Sequence, residues 1–258
     1  MIGGVDPRGG AGLVRDVLTA ANLGAHPVVV GTAWTEQGPE VHRVESRPPE
    51  ILEDAVRQAI AGGPSAVKVG MVPDPRTAAA IVSGLGGYAG PVVVDPVLAS
   101  SRGRALFRGQ PADLLDLCRR ATLVTPNAAE AEVLSGRRVG GLEEAALAAR
   151  ALRGLGCAAV LVKGGHLGGP AEPATDTLAA GERLERFTRA RVPGGDVRGT
   201  GCALATAVAV ELGRRRPLVE AIRAATEWLA LAIAGAVEVG GERQLGWVAP
   251  DPSPNPLG

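Results

Sequence analysis

The sequence predicts an α/β fold with a mostly parallel, doubly wound sheet. Three observations carry this. Short runs rich in β-branched residues recur along the chain, most of them continuous rather than alternating, as expected of strands covered on both faces. Amphipathic stretches with helix start and stop signals lie between them, giving a β-α-β-α order. The chain has 258 residues, 46% of them hydrophobic, enough for one large α/β domain with a sizeable core.

The strand candidates are Pro27–Val30, Ala66–Val69, Val92–Val94, Thr122–Val124 and Ala159–Val162. The first helix is expected over Ala11–Leu23 with Gly24 as its stop, and the second over Pro49–Ile60, closed by Gly62-Gly63. Asp74-Pro75 opens the next helix as N-cap and first-turn proline. Leu142–Leu155 is a helix ended by Gly156, and Thr175–Leu178 with Arg183–Phe187 forms a hairpin across a Gly-containing turn. Two long helices follow, Thr200 to Leu212 and Leu218 to about Val239, divided at Pro217. The Pro-rich tail from about residue 249 reads as irregular. With no internal repeat and no clear linker, residues 1–258 read as one domain.

Lys plus Arg and Asp plus Glu each number 27, so the formal charge is zero and a polyanion partner is disfavoured. Aromatic residues are only 2% of the chain, which leaves little base-stacking surface for single-stranded nucleic acid. Cys118, Cys157 and Cys202 have no metal-like spacing and suggest free thiols in a reducing cytoplasm. The apolar run Trp228 to Val237 is too short to span a bilayer.

In an open parallel sheet, ligands bind beyond the carboxyl ends of the strands. Polar residues cluster at such places: Asp95-Pro96, then Thr125-Pro126-Asn127 with Glu130, then Lys163-Gly164-Gly165-His166. Taken alone, Asn127 is a helix N-cap and Glu130 its capping-box partner. The strongest local signal is Gly199-Thr200-Gly201-Cys202 at the start of a helix. Such a turn aims backbone N–H groups at an anion, as a transferring phosphoryl group requires. Cys202 would then lie at the positive end of the helix, which favours thiolate, and a thiolate there can accept a proton from a substrate hydroxyl. The plainer reading is a Gly-rich turn beside a buried cysteine. Gly9-Gly10-Ala11-Gly12 is neither a P-loop nor a dinucleotide fingerprint.

Seven motifs follow one another along the chain: Asp6 to Gly12, Thr35-Glu36-Gln37, Val67-Lys68-Val69-Gly70-Met71, Asp95-Pro96-Val97, Val124 to Glu132, Val162 to His166, and Gly199 to Cys202. In this order, over roughly Gly3 to Val239, the chain resembles the hydroxymethylpyrimidine/phosphomethylpyrimidine kinases of thiamine biosynthesis, in the ribokinase-like superfamily. Each alone is weak, and their joint order is specific.

The resemblance implies a three-layer α/β/α fold and roles by position. Gln37 would hydrogen-bond an aminopyrimidine ring, Asp6 and Gly12 would wall its pocket, and Met71 and Val97 would pack on the ring. Asp95, Asn127 and Glu130 would hold Mg²⁺ directly or through water. Lys163 would lie near the nucleotide phosphates and Asp176 beside the nucleotide. Cys202 would take the proton while Gly199, Thr200 and Gly201 neutralise charge during in-line transfer from ATP. A homodimer is implied too.

The chain departs from the family pattern at Val5 (usually serine), Gly38 (commonly asparagine) and Arg198 (usually histidine). An extra cation at 198 either binds a phosphate or is neutral drift. The start at Met1-Ile2 implies a truncated first strand or an incomplete start, and Leu98 to Gly103 lacks the usual lysine or threonine pattern. Two alternatives stand beside this reading. One is a pyridoxal or pyridoxine kinase. The other is a catalytically weakened pyrimidine-binding homologue.

Overall fold

The computed structural model describes residues 1–37, 42–100, 103–169, 171–192 and 196–249, and the side chains of Gln37 and His42 lie outside that description. The expected Pro-rich tail and Gly38 also fall outside it.

The order of elements is β1 (Ile2–Val5), α1 (Gly12–Asn22), β2 (Val30–Gln37), β3 (His42–Ser46), α2 (Pro49–Ala61), β4 (Val67–Val69), α3 (Pro75–Gly84) and β5 (Val92–Val94). Then come α4 (Leu115–Arg120), β6 (Leu123–Val124), α5 (Ala128–Ser135), α6 (Leu142–Gly154), β7 (Ala159–Val162), β8 (Ala174–Ala180) and β9 (Arg183–Arg189). The last elements are α7 (Thr200–Gly213), α8 (Leu218–Ala234), β10 (Val237–Val239) and β11 (Glu242–Gln244).

Nine strands form one sheet in the order β3-β2-β1-β4-β5-β6-β7-β8-β9. The six strands from β2 to β7 in that order run parallel, and β3, β8 and β9 add antiparallel edges. The expected mostly parallel sheet is therefore present. The valines of β5 show why its strands read as continuous apolar runs. Val92 and Val94 pack into one core with Leu52, Ile81, Leu117 and Leu152, while Val93 packs into the other with Leu204, Val208 and Ile222. Helices α2, α3, α4 and α6 thus cover one face and α7 and α8 the other, with α1 against α7. Residues Ala203 to Leu212 of α7 are all buried, as expected of a helix apolar on every side.

Several boundaries move. The strand expected at Pro27–Val30 begins only at Val30 and runs to Gln37, and the partner strand β3 carried no signal that was read. The last helix stops at Ala234 instead of near Val239. Residues 237–244 form a separate hairpin across Gly240-Gly241, whose φ angles of +59° and +77° suit a turn of the type that joins two twisted strands. Asp74 caps α3 as expected, its Oδ1 accepting the Thr77 N–H and hydroxyl at 2.9 Å each. All three cysteines are free thiols. Among the described residues no helix is long and apolar enough to cross a membrane.

Candidate active site

A cleft of about 680 Å³ opens at the carboxyl ends of β1, β4, β5, β6 and β7. Its floor is the start of α7. No side chain caps that helix, so the first-turn amides of Thr200, Gly201 and Cys202 are left for a partner in the cleft they line. Gly199 sits at φ +81°, and a Cβ there would fall 2.2 Å from the Gly10 carbonyl oxygen. At Gly12, with φ +59°, a Cβ would meet the Gly4 carbonyl at 2.4 Å. The Gly9–Gly12 turn, uninformative as a motif, is thus the surface on which the Gly199 turn rests.

Charged groups converge above this floor. Lys163 Nζ lies 2.5 Å from Asp95 Oδ1, and Thr125 Oγ1 donates to the same oxygen at 3.3 Å. A Cβ on Gly201 would stand 3.0 Å from Lys163 Nζ, so the bare glycine brings the ammonium onto the helix end. Asp176, 1% exposed, accepts the Gly164 N–H at 2.8 Å and pairs with Arg189 at 3.2 Å, fixing the turn after Lys163. Asn127 and Glu130 line the cleft and also form a complete capping box, with bonds of 2.8 and 2.9 Å. Burial pushes the Glu130 carboxyl up to about 7; Lys163 opposes this and Asp95 adds to it.

The other end of the cleft is apolar. Met71, Ala33 and Leu106 are buried together, with Val97 and Val44 packed against them. Gln37 ends β2 beside this pocket's strands, and its side chain lies outside the described residues. Asp6 is buried and bound by Arg198 Nη2 at 2.8 Å, while Arg198 Nη1 reaches Glu242 Oε2 at 2.7 Å. Arg198 therefore ties the N-terminal turn, the approach to α7 and the β10–β11 hairpin together. It is paired with two carboxylates, so any phosphate would have to share its guanidinium with Asp6 and Glu242.

Cys202 corrects the sequence reading most clearly. The helix end was expected to lower its thiol. Instead burial pushes it up to about 11, with Lys68 opposing and Asp95 and Asp16 adding to the rise. Burial outweighs the two groups that favour thiolate here, the Lys68 ammonium and the Gly12 N–H.

Sequence reasoning named Thr125 and Thr35 within motifs without giving them a role, and it missed Leu106 and the hairpin residues Glu238, Glu242 and Arg243; all of these line the cleft or hold its walls. Gly240-Gly241 between alternating residues was a readable hairpin signal. Also missed was a buried network beneath the floor. Lys68 Nζ lies 2.6 Å from Asp16 Oδ2, and Thr206 donates to Asp16 Oδ1 at 2.9 Å. Burial works to neutralise the Asp16 carboxyl, but the ammonium at this distance opposes it, and the two stand as an ion pair. A lysine between valines of a covered strand was the signal.

The sheet order, the site at the strand ends and the anion-facing helix start define a ribokinase-like α/β protein with a kinase-type cleft. The phosphomethylpyrimidine kinase family model matches residues 6–246, and the chain belongs to that family. It is 41% identical over 248 residues to a hydroxymethylpyrimidine/phosphomethylpyrimidine kinase of Rhizobium meliloti, covering 93% of this chain and 92% of that one. Among solved structures, a phosphomethylpyrimidine kinase from Clostridium difficile superposes with a TM-score of 0.76 at 29% identity, covering 90% of this chain and 97% of that one. A pyridoxal kinase from Staphylococcus aureus, in complex with AMP-PCP and pyridoxal, superposes with a TM-score of 0.84 at 26% identity, covering 95% and 91%.

Proposed function

We propose that this chain transfers the γ-phosphoryl group of ATP to the hydroxymethyl oxygen of 4-amino-5-hydroxymethyl-2-methylpyrimidine, or to its monophosphate, in thiamine biosynthesis. The observation that carries this is one cleft with two unlike ends. The α7 amides and Lys163 suit phosphates, and the pocket of Met71, Val97, Ala33 and Leu106 suits a flat ring.

Gly199, Thr200 and Gly201 would present amides to the charge that spreads over the transferring oxygens. Lys163 would trade part of its hold on Asp95 for a phosphate. Asp176 would hold the turn after Lys163 beside the nucleotide. Asp6 and Gly12 would wall the ring pocket, and Gln37 would bond the ring's amino edge. In this reading Cys202 takes the hydroxyl's proton as thiolate, a minor species at neutral pH. Because the transition state is loose, base strength matters less here than positioning.

Mg²⁺ fits the donor set in a limited way. Among the described residues no group of three or more His, Cys, Asp or Glu is arranged to hold a metal. Mg²⁺ is commonly held by one or two carboxylates together with waters and substrate phosphates, which Asp95 and Glu130, with Asn127, would satisfy. Bound there, it would offset negative charge on the nucleotide.

The pyridoxal-kinase reading is favoured by one observation, the structural likeness to the pyridoxal-bound kinase. Identity to the pyrimidine kinase is higher. We read the protein as a cytoplasmic homodimer in one ribokinase-like domain; sedimentation in solution tests the dimer. ADP release with Mg·ATP and the pyrimidine, its monophosphate or pyridoxal decides between substrates. Cys202→Ala is expected to lower kcat about 100-fold with KM little changed. Unchanged kcat would remove Cys202 as the base, and tight pyrimidine binding without turnover on any substrate would sink the kinase reading.

A further inference from the structure

Lys68 has no part in the transfer outlined above, yet it and Asp16 are each only 1% exposed. A buried ion pair stabilises a fold less than well-packed apolar residues of similar volume often do. Joining α1, β4 and α7 does not by itself call for one. The geometry supplies another reason. The Lys68 side chain runs along its own strand toward the cleft end, close enough that a Cβ on Gly70 would fall 2.5 Å from Nζ. Thr206, which anchors Asp16, follows Cys202 by four residues, so both project from one face of α7.

Charged groups from four elements surround Cys202. Lys68 comes from β4, Asp16 and Arg15 from α1, Asp95 from the end of β5, and Lys163 from the end of β7. The Lys68 ammonium and the Gly12 N–H favour negative charge at the sulfur, while Asp16 and Asp95 oppose it. Of the pair, the Lys68 ammonium is the member carried toward the cleft end of β4, and Asp16 is the member held by Thr206, one turn into α7 from Cys202.

We infer that Lys68 is a positioning residue for the transfer step: with Asp16 and Thr206 it fixes the start of α7 against β4, and its ammonium stabilises the Cys202 thiolate that takes the proton. In that step the substrate O–H bond breaks as an S–H bond forms, and the oxygen bonds the γ-phosphorus as the bond to the ADP oxygen breaks. The inference rests on the kinase reading for its turnover arm only.

The test compares Lys68→Met, and the uncharged but similarly shaped Lys68→Met/Asp16→Asn, with the unchanged full-length chain. Two quantities are read: the rate of Cys202 alkylation by iodoacetamide at fixed pH, followed by peptide mass, and the split of kcat against KM. Loss of the ammonium should slow alkylation about tenfold, the effect of one unit in thiol acidity, and lower kcat by a similar factor with KM within about twofold. The double variant should keep its melting temperature and recover only part of either rate, since Asp16, which opposes Lys68 at the sulfur, is removed with it. Unaltered alkylation and kcat in the folded double variant would overturn the inference. So would a KM effect alone, or failure of both variants to fold, which would leave Lys68 a purely structural role. The alkylation arm needs no turnover, so a chain that phosphorylates no pyrimidine would sink the proposed function while alkylation still decides the role of Lys68.

Discussion

Two lysine–aspartate–threonine sets flank Cys202, one below the start of α7 and one above it. In the lower set Lys68 and Asp16 are 2.6 Å apart, Thr206 donates at 2.9 Å, and both charges are sealed at 1% exposure. In the upper set Lys163 and Asp95 are 2.5 Å apart, Thr125 donates at 3.3 Å, and Lys163 keeps 13% of its surface open to the cleft. The same three residue types therefore serve two ends. A sealed pair has no alternative partner and acts as a fixed charge in the scaffold. A pair opening on a cleft can exchange one partner for a ligand. Burial, and not residue identity, separates the two roles.

The sharpest way to break this comparison is to remove each aspartate. Asp16→Asn leaves the Lys68 ammonium buried with no counter-charge, which should cost about 3–5 kcal/mol of stability in urea unfolding. Asp95→Asn should cost clearly less, because Lys163 can turn to water in the cleft. Equal losses would mean that the upper pair is as structural as the lower one.

Turnover should rank the sets in the opposite sense. Lys163→Met removes a cation placed beside Gly201 at the start of α7, and we expect kcat/KM for ATP to fall about 100- to 1000-fold with the unfolding midpoint little changed. A stable Lys163→Met variant with ordinary kinetics would remove Lys163 from the phosphate end of the cleft.

These contrasts also mark what was legible in the sequence. The strand cores Val92–Val94 and Ala159–Val162, the Asp74 cap and the Asn127–Glu130 box were readable because each is decided by neighbours within a few residues. The β8–β9 hairpin was readable for the same reason. The end of α8 was misjudged because Val237 closes an apolar run, and only the alternation of Val237-Glu238-Val239 with the following Gly240-Gly241 turn reveals a strand. The partners of Lys68, Thr206 and Arg198 were out of reach, since Asp16 and Asp6 lie 52, 190 and 192 residues away from them. The Cys202 thiol was misread because its acidity depends on packing depth, which a local motif does not encode.

Glu130 extends the comparison to pH, since it belongs to the open set. Burial pushes its carboxyl from 4.5 up to about 7, with Lys163 opposing and Asp95 adding. The folded protein thus holds this proton more tightly than the unfolded chain does. The resulting stability is full below about 4.5 and is lost as the pH rises to about 7. At about 1.4 kcal/mol per unit the loss is about 3 kcal/mol. Glu130→Gln keeps the capping geometry and removes the titration, so the difference between variant and parent, followed by urea unfolding across that window, should show this slope. A parallel pair of curves would contradict the burial assigned to Glu130.

The smallest effects should come from the two threonines, and they isolate what sealing does. Thr206→Val replaces a hydroxyl that donates to Asp16 at 2.9 Å inside the scaffold. It leaves one carboxylate oxygen without that donor, and the expected cost is about 1–2 kcal/mol of stability. Thr125→Val removes a longer bond of 3.3 Å to an Asp95 that faces the cleft and keeps its lysine, so stability should fall by about 0.5 kcal/mol or less. The kinetic consequence should invert. Thr125→Val frees Asp95 Oδ1 to rotate at the phosphate end and should change kcat/KM for ATP a few-fold, whereas Thr206→Val should leave KM for ATP unaltered. If both threonines altered stability and ATP kinetics alike, the distinction between a sealed and an open set would fail at its weakest members. The aspartate results would then need another explanation.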